Sequence, residues 1–243
     1  MPGSASTSCS GVSGVAPGEF RCRIGYAKRD RLRFLSHLEV GHAIERGIRR
    51  AGLPYGVTHG FSPHMKIAFG PALPVGTAGL QEYFDVWLTT YLPAEEVLSR
   101  FSSAMPEGLS PFAVAYVGAK ESSLTASCTM GEYEVEVTGE VDAGTQLRQA
   151  LEDLLAGKEL TVEHKGKTKV FDLTSSLPKG AEVRSSKGGV TVEVTVRMGP
   201  EGSLRPESLV REALASSGST GAVTFVTRRA LLIEHDDGVR RPI

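Results

Sequence analysis

Residues 34–76, FLSHLEVGHAIERGIRRAGLPYGVTHGFSPHMKIAFGPALPVG, hold four of the six histidines and the helix from which the element order is counted. Ser36 with Glu39 three residues on is an S-x-x-E capping box, in which each side chain answers an orphan N–H of the first helical turn. Val40, Ile44, Gly47, Ile48 and Ala51 recur at helical spacing as one apolar stripe. Gly52 and Pro54 then supply a left-handed cap and a stop, which together predict a helix over residues 36–51. The other side carries Glu39, His42, Arg46 and Arg49, with Arg50 beside them. Charged faces of this kind usually do no more than solvate a helix.

The next segment, THGFSPHMK at residues 58–66, has loop chemistry yet carries His59, Phe61, His64 and Lys66. Gly60 lets the backbone approach a ligand and Pro63 stiffens the loop that positions its neighbours. The plainer role for Phe61 is a plug at the core edge.

Through Arg33-Phe34-Leu35-Ser36-His37-Leu38-Glu39, Glu45-Arg46, Arg49-Arg50-Ala51-Gly52-Leu53-Pro54, Gly60-Phe61-Ser62-Pro63-His64 and Leu73-Pro74-Val75-Gly76, the chain resembles the radical SAM-linked (radical SAM-associated) proteins of bacteria. That family is found beside or fused to radical SAM enzymes. The resemblance implies a radical SAM enzyme as partner.

With 40% hydrophobic and 23% charged residues in 243, the composition is that of a globular protein of one large or two small domains. No run of about 18 apolar residues is present, so no membrane span is expected. Residues 1–18 lack a basic n-region and an apolar h-region, which predicts a flexible tail and a cytoplasmic protein; residues 234–243 read as a second polar tail. Cys9, Cys22 and Cys128 are too far apart for a disulfide framework or a Cys-x-x-Cys site. The three-cysteine cluster of a radical SAM iron–sulfur centre is absent, and no cofactor is expected.

Net charge is −1, but residues 19–76 carry ten Lys and Arg against four Asp and Glu. A local positive field suits a polyanion. Alternation over residues 20–26 predicts a strand buried on one side, with Arg21 and Arg23 outward, and residues 28–31 a basic turn before extended chain at 32–35. Extended pieces at 55–58 and 66–69, a strand at 82–90, a helix at 94–105 and a strand at 110–117 complete a β-α-β-β-α-β order. Residues 118–127 read as a linker. The same order returns with a strand at 132–138, a helix at 143–156, extended segments at 160–163 and 169–173, a strand at 190–198, a helix at 206–216 and a strand at 222–232. Residues 179–189 read as an exposed loop. The expected fold is α+β, tandem ferredoxin-like domains over residues 19–118 and 128–233, with antiparallel sheets and helices on one face.

A metal site is not expected, because His37 and His42 are five residues apart on a helix, about 140° around its axis, and do not face one ion. The preferred reading is a non-catalytic RNA-binding module in which Arg29, Arg31, Arg33, His37, His42, Arg46, Arg49, Arg50, His59, Gly60, Phe61, His64 and Lys66 form the nucleic-acid surface. His37 and His64 are the catalytic candidates of an alternative, a metal-independent endoribonuclease, and are expected together where the helix start meets the loop. A second alternative is a protein adaptor that binds no nucleic acid.

Overall fold

The structure, a computed structural model, describes residues 18–138, 143–164, 166–186, 189–199, 202–235 and 237–243. Apart from Gly18, the expected N-terminal tail lies outside the described residues. The first half runs β1 (Phe20–Lys28), α1 (His37–Arg50), β2 (Ile67–Phe69), β3 (Ala78–Leu88), α2 (Ala94–Ala104) and β4 (Pro111–Tyr116). A short helix α3 (Leu124–Ser127) leads into β5 (Met130–Thr138), α4 (Ala143–Gly157), the hairpin β6 (Glu159–His164) and β7 (Lys167–Asp172), and α5 (Leu173–Ser176). Then come β8 (Ala181–Ser186), β9 (Gly189–Arg197), α6 (Pro206–Ser217), β10 (Ala222–His235) and β11 (Gly238–Arg240).

The fold is α+β. One sheet runs β4-β1-β3-β10-β5-β9-β8, with β2 on β3 and β11 on β10, and β6 and β7 pair separately. Within the first half the order is β4-β1-β3-β2, and within the second β10-β5-β9-β8. Numbered within each half, both read 4-1-3-2, the interleaving that a split β-α-β unit produces. Among the described residues every strand pair is antiparallel except β3 with β10, which run parallel through Ala78↔Thr227 and Gly79↔Arg228. The two halves thus share one sheet, and the segment expected as a loose linker is packed: Leu124 and Cys128 are buried with Tyr83, Leu231 and Ile233.

Further assignments differ from expectation for physical reasons. Residues 181–186, read as a loop because AEVRSS is polar, form β8 at a sheet edge; Val183 is buried while its neighbours face water. It is the second strand of its unit, and the 160–173 segments are an inserted hairpin. After β1, Asp30 takes a left-handed φ of +52° and a 3-10 turn over Asp30–Phe34 replaces the expected extended chain. The C-terminal ten residues are no loose tail either, since β11 pairs back on β10 and the Pro242 carbonyl accepts from Arg23 Nη1 at 3.2 Å.

β1 is buried on both faces rather than one. Cys22, Ile24 and Tyr26 join Val40, Ile44, Ile48, Val97 and Phe101 beneath α1 and α2. On the other face Gly25 lies so close to the Phe112 ring that an added Cβ would sit 2.6 Å from it. There Arg21 and Arg23 converge on the fully buried Asp85, with Arg21 Nη2 at 2.6 Å and Arg23 Nε at 2.8 Å. Burial next to Asp85 pushes the Cys22 thiol up to about 12, so it is no nucleophile near neutral pH.

Candidate nucleic-acid interface

α1 begins as its capping box requires: Ser36 N–H donates to Glu39 Oε2 at 2.8 Å and Glu39 N–H to the Ser36 hydroxyl at 3.4 Å. The Ser36 backbone N–H, with its hydroxyl second, holds the Glu39 carboxyl below the usual carboxylate range. At the other end Gly52, at φ +62°, turns the chain back toward β3. Gly56 N donates to the Trp87 carbonyl and Lys66 N to the Gly56 carbonyl, so residues 58–64 are left as a hairpin loop beyond the sheet. Thr58 N–H donates to the His64 carbonyl at 2.8 Å and closes it. His59, Gly60, Phe61 and His64 are all exposed there, Phe61 completely.

These placements divide the expected basic residues into three groups. Arg29, Arg31 and Arg33 belong to the turn before α1, where the Arg33 guanidinium lies 4.7 Å from the Phe34 ring and 4.2 Å from the Phe225 ring. Arg46 and Arg50 lie toward the far end of α1, a helix about 20 Å long at 1.5 Å per residue. Arg49 pairs with Glu45 at 3.3 Å over the Tyr55 ring, and Lys66 pairs with Glu19 at 2.6 Å over the Trp87 ring. His42 is exposed on α1. A single continuous patch does not form, because the helix keeps the turn apart from Arg46 and Arg50 and carboxylates answer Arg49 and Lys66. Of the other cations counted in this region, Arg21 and Arg23 are committed to Asp85, and buried Lys28 donates to the Leu35 carbonyl at 2.8 Å.

The structure also parts His37 from His64. The His37 ring meets Phe69 edge-on at 5.3 Å, whereas His64 lies five residues upstream along extended chain, about 16 Å at 3.3 Å per residue. The two imidazoles sit at opposite ends of the β2 segment, because β2 runs antiparallel to β3 and carries the loop away from the helix start. They cannot act as an acid–base pair on one phosphate. Among the described residues no three His, Cys, Asp or Glu side chains converge as metal ligands.

Two sites emerge that the residue pattern did not single out. One is an open furrow of about 880 Å³ between α1 and α2, lined by Arg46 and Arg50 from α1 and by Ser99, Arg100 and Ser103 from α2. Gly47 lets the helices close up: a Cβ there would lie 2.3 Å from Met105 Sδ and 3.0 Å from the Phe101 ring. Arg50 donates to the Ala104 carbonyl across the furrow, and Arg100 pairs with Glu96 on its own helix. The only signal for α2 was Ser99, Arg100 and Ser103 at i, i+1 and i+4, too common a pattern to stand out.

The other is a groove of about 870 Å³ at the junction of the halves, walled by Pro71, Pro74, Leu204 and Val226 and floored by Tyr133 and Arg228. Arg228 is almost fully buried, and its Nε and Nη2 engage both oxygens of the buried Glu82. Cys128 also lines it, and burial pushes that thiol up to about 11.

The model of a family described as "Uncharacterized protein conserved in bacteria (DUF2344)" matches residues 21–206. No curated protein matches the chain. Among solved structures it is similar to a chain of a Cbf5-Nop10-Gar1 complex, with 13% identity and a TM-score of 0.46 over 85% of this chain and 47% of that one. It is also similar to a chain of the archaeal box H/ACA sRNP Nop10-Cbf5 complex, with 14% identity and a TM-score of 0.41 over 85% and 46%. The chain therefore spans about half the length of those it resembles, and likenesses this distant carry no argument about function.

Proposed function

The chain belongs to that bacterial family, and we propose that it is a non-catalytic RNA-binding module that acts as partner of a radical SAM enzyme in RNA modification or processing. The observation that carries the RNA reading is the furrow, where Arg46, Arg50, Arg100, Ser99 and Ser103 from helices half the domain apart in sequence line one open channel, with Arg100 held in an exposed pair with Glu96 that a phosphate would have to displace. Guanidiniums hold phosphates bidentately and serine hydroxyls add neutral donors, while an open, shallow shape admits a strand rather than enclosing a small molecule. Arg29, Arg31 and Arg33, with exposed Phe34 beside them, form a separate basic turn before α1 and offer a ring for base stacking. The partner assignment is supported by the resemblance in residues 33–76.

Titration of a single-stranded RNA at several salt concentrations tests the reading. Each phosphate contact contributes about −0.7 to the log–log slope, so Arg46→Ala, Arg50→Ala and Arg100→Ala together flatten it by about 2 units. Arg29→Ala with Arg31→Ala flattens it by less. A triple variant with unchanged affinity and slope overturns the reading.

The hairpin favours a second role for the same chain. Phe61 is fully exposed in the projecting loop and Val57 half exposed at its base, where it bridges to Met65, and exposed apolar groups of this kind mark protein contacts. Phe61 is thus the proposed anchor for the enzyme, and a chain that binds the enzyme but no RNA would be an adaptor.

A further inference from the structure

The groove between the halves has at its floor a charged group with incomplete hydrogen bonding. Arg228 is 1% exposed; its Nε and Nη2 are committed to Glu82 and to the Pro71 carbonyl. Among the described residues Nη1 finds one acceptor, the Tyr133 hydroxyl at 3.5 Å, the outer limit of a hydrogen bond. A guanidinium has two N–H donors on that nitrogen, and burying a charged donor without an acceptor is costly. Arg228 and Tyr133 both line the groove, and the second N–H on Nη1 has no acceptor among the described residues.

The same groove receives the start of α6. Arg205 at its N-cap makes no side-chain cap, Pro206 at the first position has no N–H, and the amide of Glu207 is the first that the helix presents, with the positive end of the helix dipole behind it. Of the charged residues that line the groove, Arg205 and Arg228 outnumber Glu207 by one, with Glu82 paired to Arg228. The walls are apolar, and the volume of about 870 Å³ is that of a small-molecule site.

We propose that this groove binds a phosphate monoester on a planar or apolar body. The phosphate accepts from Arg228 Nη1, the Tyr133 hydroxyl and the start of α6, and the body lies against Pro71, Pro74, Leu204 and Val226. Three separate donor sources match the three terminal oxygens of a phosphate better than the two of a carboxylate. The site is independent of the furrow and of the RNA reading. Its ligand reaches it either as a free small molecule or as the 5′-phosphorylated end of an RNA chain.

Calorimetric titration of the full chain with phenyl phosphate, inorganic phosphate and benzoate tests this. Phenyl phosphate binds about tenfold tighter than either of the others, a difference of about 1.4 kcal/mol. Arg205→Ala weakens it about fivefold while the melting temperature is held; Tyr133→Phe, which keeps the ring, weakens it about as much and also lowers the melting temperature, because Arg228 Nη1 loses its acceptor. Competition by a 5′-phosphorylated RNA tetramer and not by its 5′-hydroxyl twin supports the proposal with RNA as the source; displacement by neither, with phenyl phosphate bound, supports it with a free small molecule. Benzoate binding as tightly as phenyl phosphate, or affinity unchanged in both variants, overturns it.

Discussion

Arg228 on β10 and Glu82 on β3 lie 146 residues apart in sequence and form a buried two-point ion pair beside the parallel strand junction. Their side chains are 1% and 4% exposed, so each charge depends on the other for its solvation. Removing one partner leaves an uncompensated charge in the interior. Arg228→Leu and Glu82→Gln should each cost about 3–5 kcal/mol, and the double variant less than their sum. Urea unfolding of the three proteins measures this; additive losses would show that the residues act separately.

Asp85 has the same role on the first half, between Arg21 and Arg23. Asp85→Asn strands two buried guanidiniums, whose remaining acceptors are the carbonyls of Glu121, Ser122 and Pro242. The expected loss is again about 3–5 kcal/mol, read as a lower urea midpoint.

Acid stability should reflect two helix caps. Backbone N–H donors, that of Ser36 to Glu39 and those of Thr174 and Ser175 to the N-cap Asp172, hold these carboxyls below their ordinary pKa values of 4.5 and 3.8. Because the folded pKa is the lower, the unfolded state binds more protons, and the stabilisation is present above those ordinary values and lost as pH falls through the folded ones. Melting temperatures from pH 6 to pH 2 should fall less for Glu39→Gln with Asp172→Asn than for the parent. Parallel curves would remove the caps as a cause.

Gly47 ties helix packing to the furrow. Alanine needs the flexible end of Met105 to move and the buried Phe101 ring, 3.0 Å away, to give slightly, whereas Gly47→Leu forces the helices apart. The leucine variant should lose about 1–3 kcal/mol by overpacking and bind single-stranded RNA more weakly, as Arg46 and Arg100 separate. Full RNA affinity in a destabilised Gly47→Leu protein would detach the furrow from RNA binding.

Phe61→Ser should leave the thermal melt unchanged, since the ring is fully exposed, and should abolish co-elution in size-exclusion chromatography with the partner proposed above, a radical SAM enzyme. Retained co-elution would move the docking surface elsewhere.

The sequence by itself determined what depends on near neighbours. The Ser36–Glu39 box, the left-handed Gly52 and the apolar stripe through Ile44 and Ile48 define α1 within four residues of each position, and the backbone has one low-energy way to satisfy them. The β-α-β-β-α-β order of the first half follows from the same kind of local periodicity. Only the tertiary structure decided which polar segment became a strand: β8 is specified by the unpaired edge of β9, not by AEVRSS. It also decided that Arg21 and Arg23 point into the protein, because the acceptor that makes their burial tolerable, Asp85, arrives from more than 60 residues away. The site divides along the same line. Arg46 and Arg50 were readable as one face of α1, but Arg100, Ser99 and Ser103 join them only where α2 packs on Gly47, and the groove floor exists only where β3 meets β10. Charges so far apart in the chain have no shared local signal, since their interaction depends on a register that the whole sheet sets.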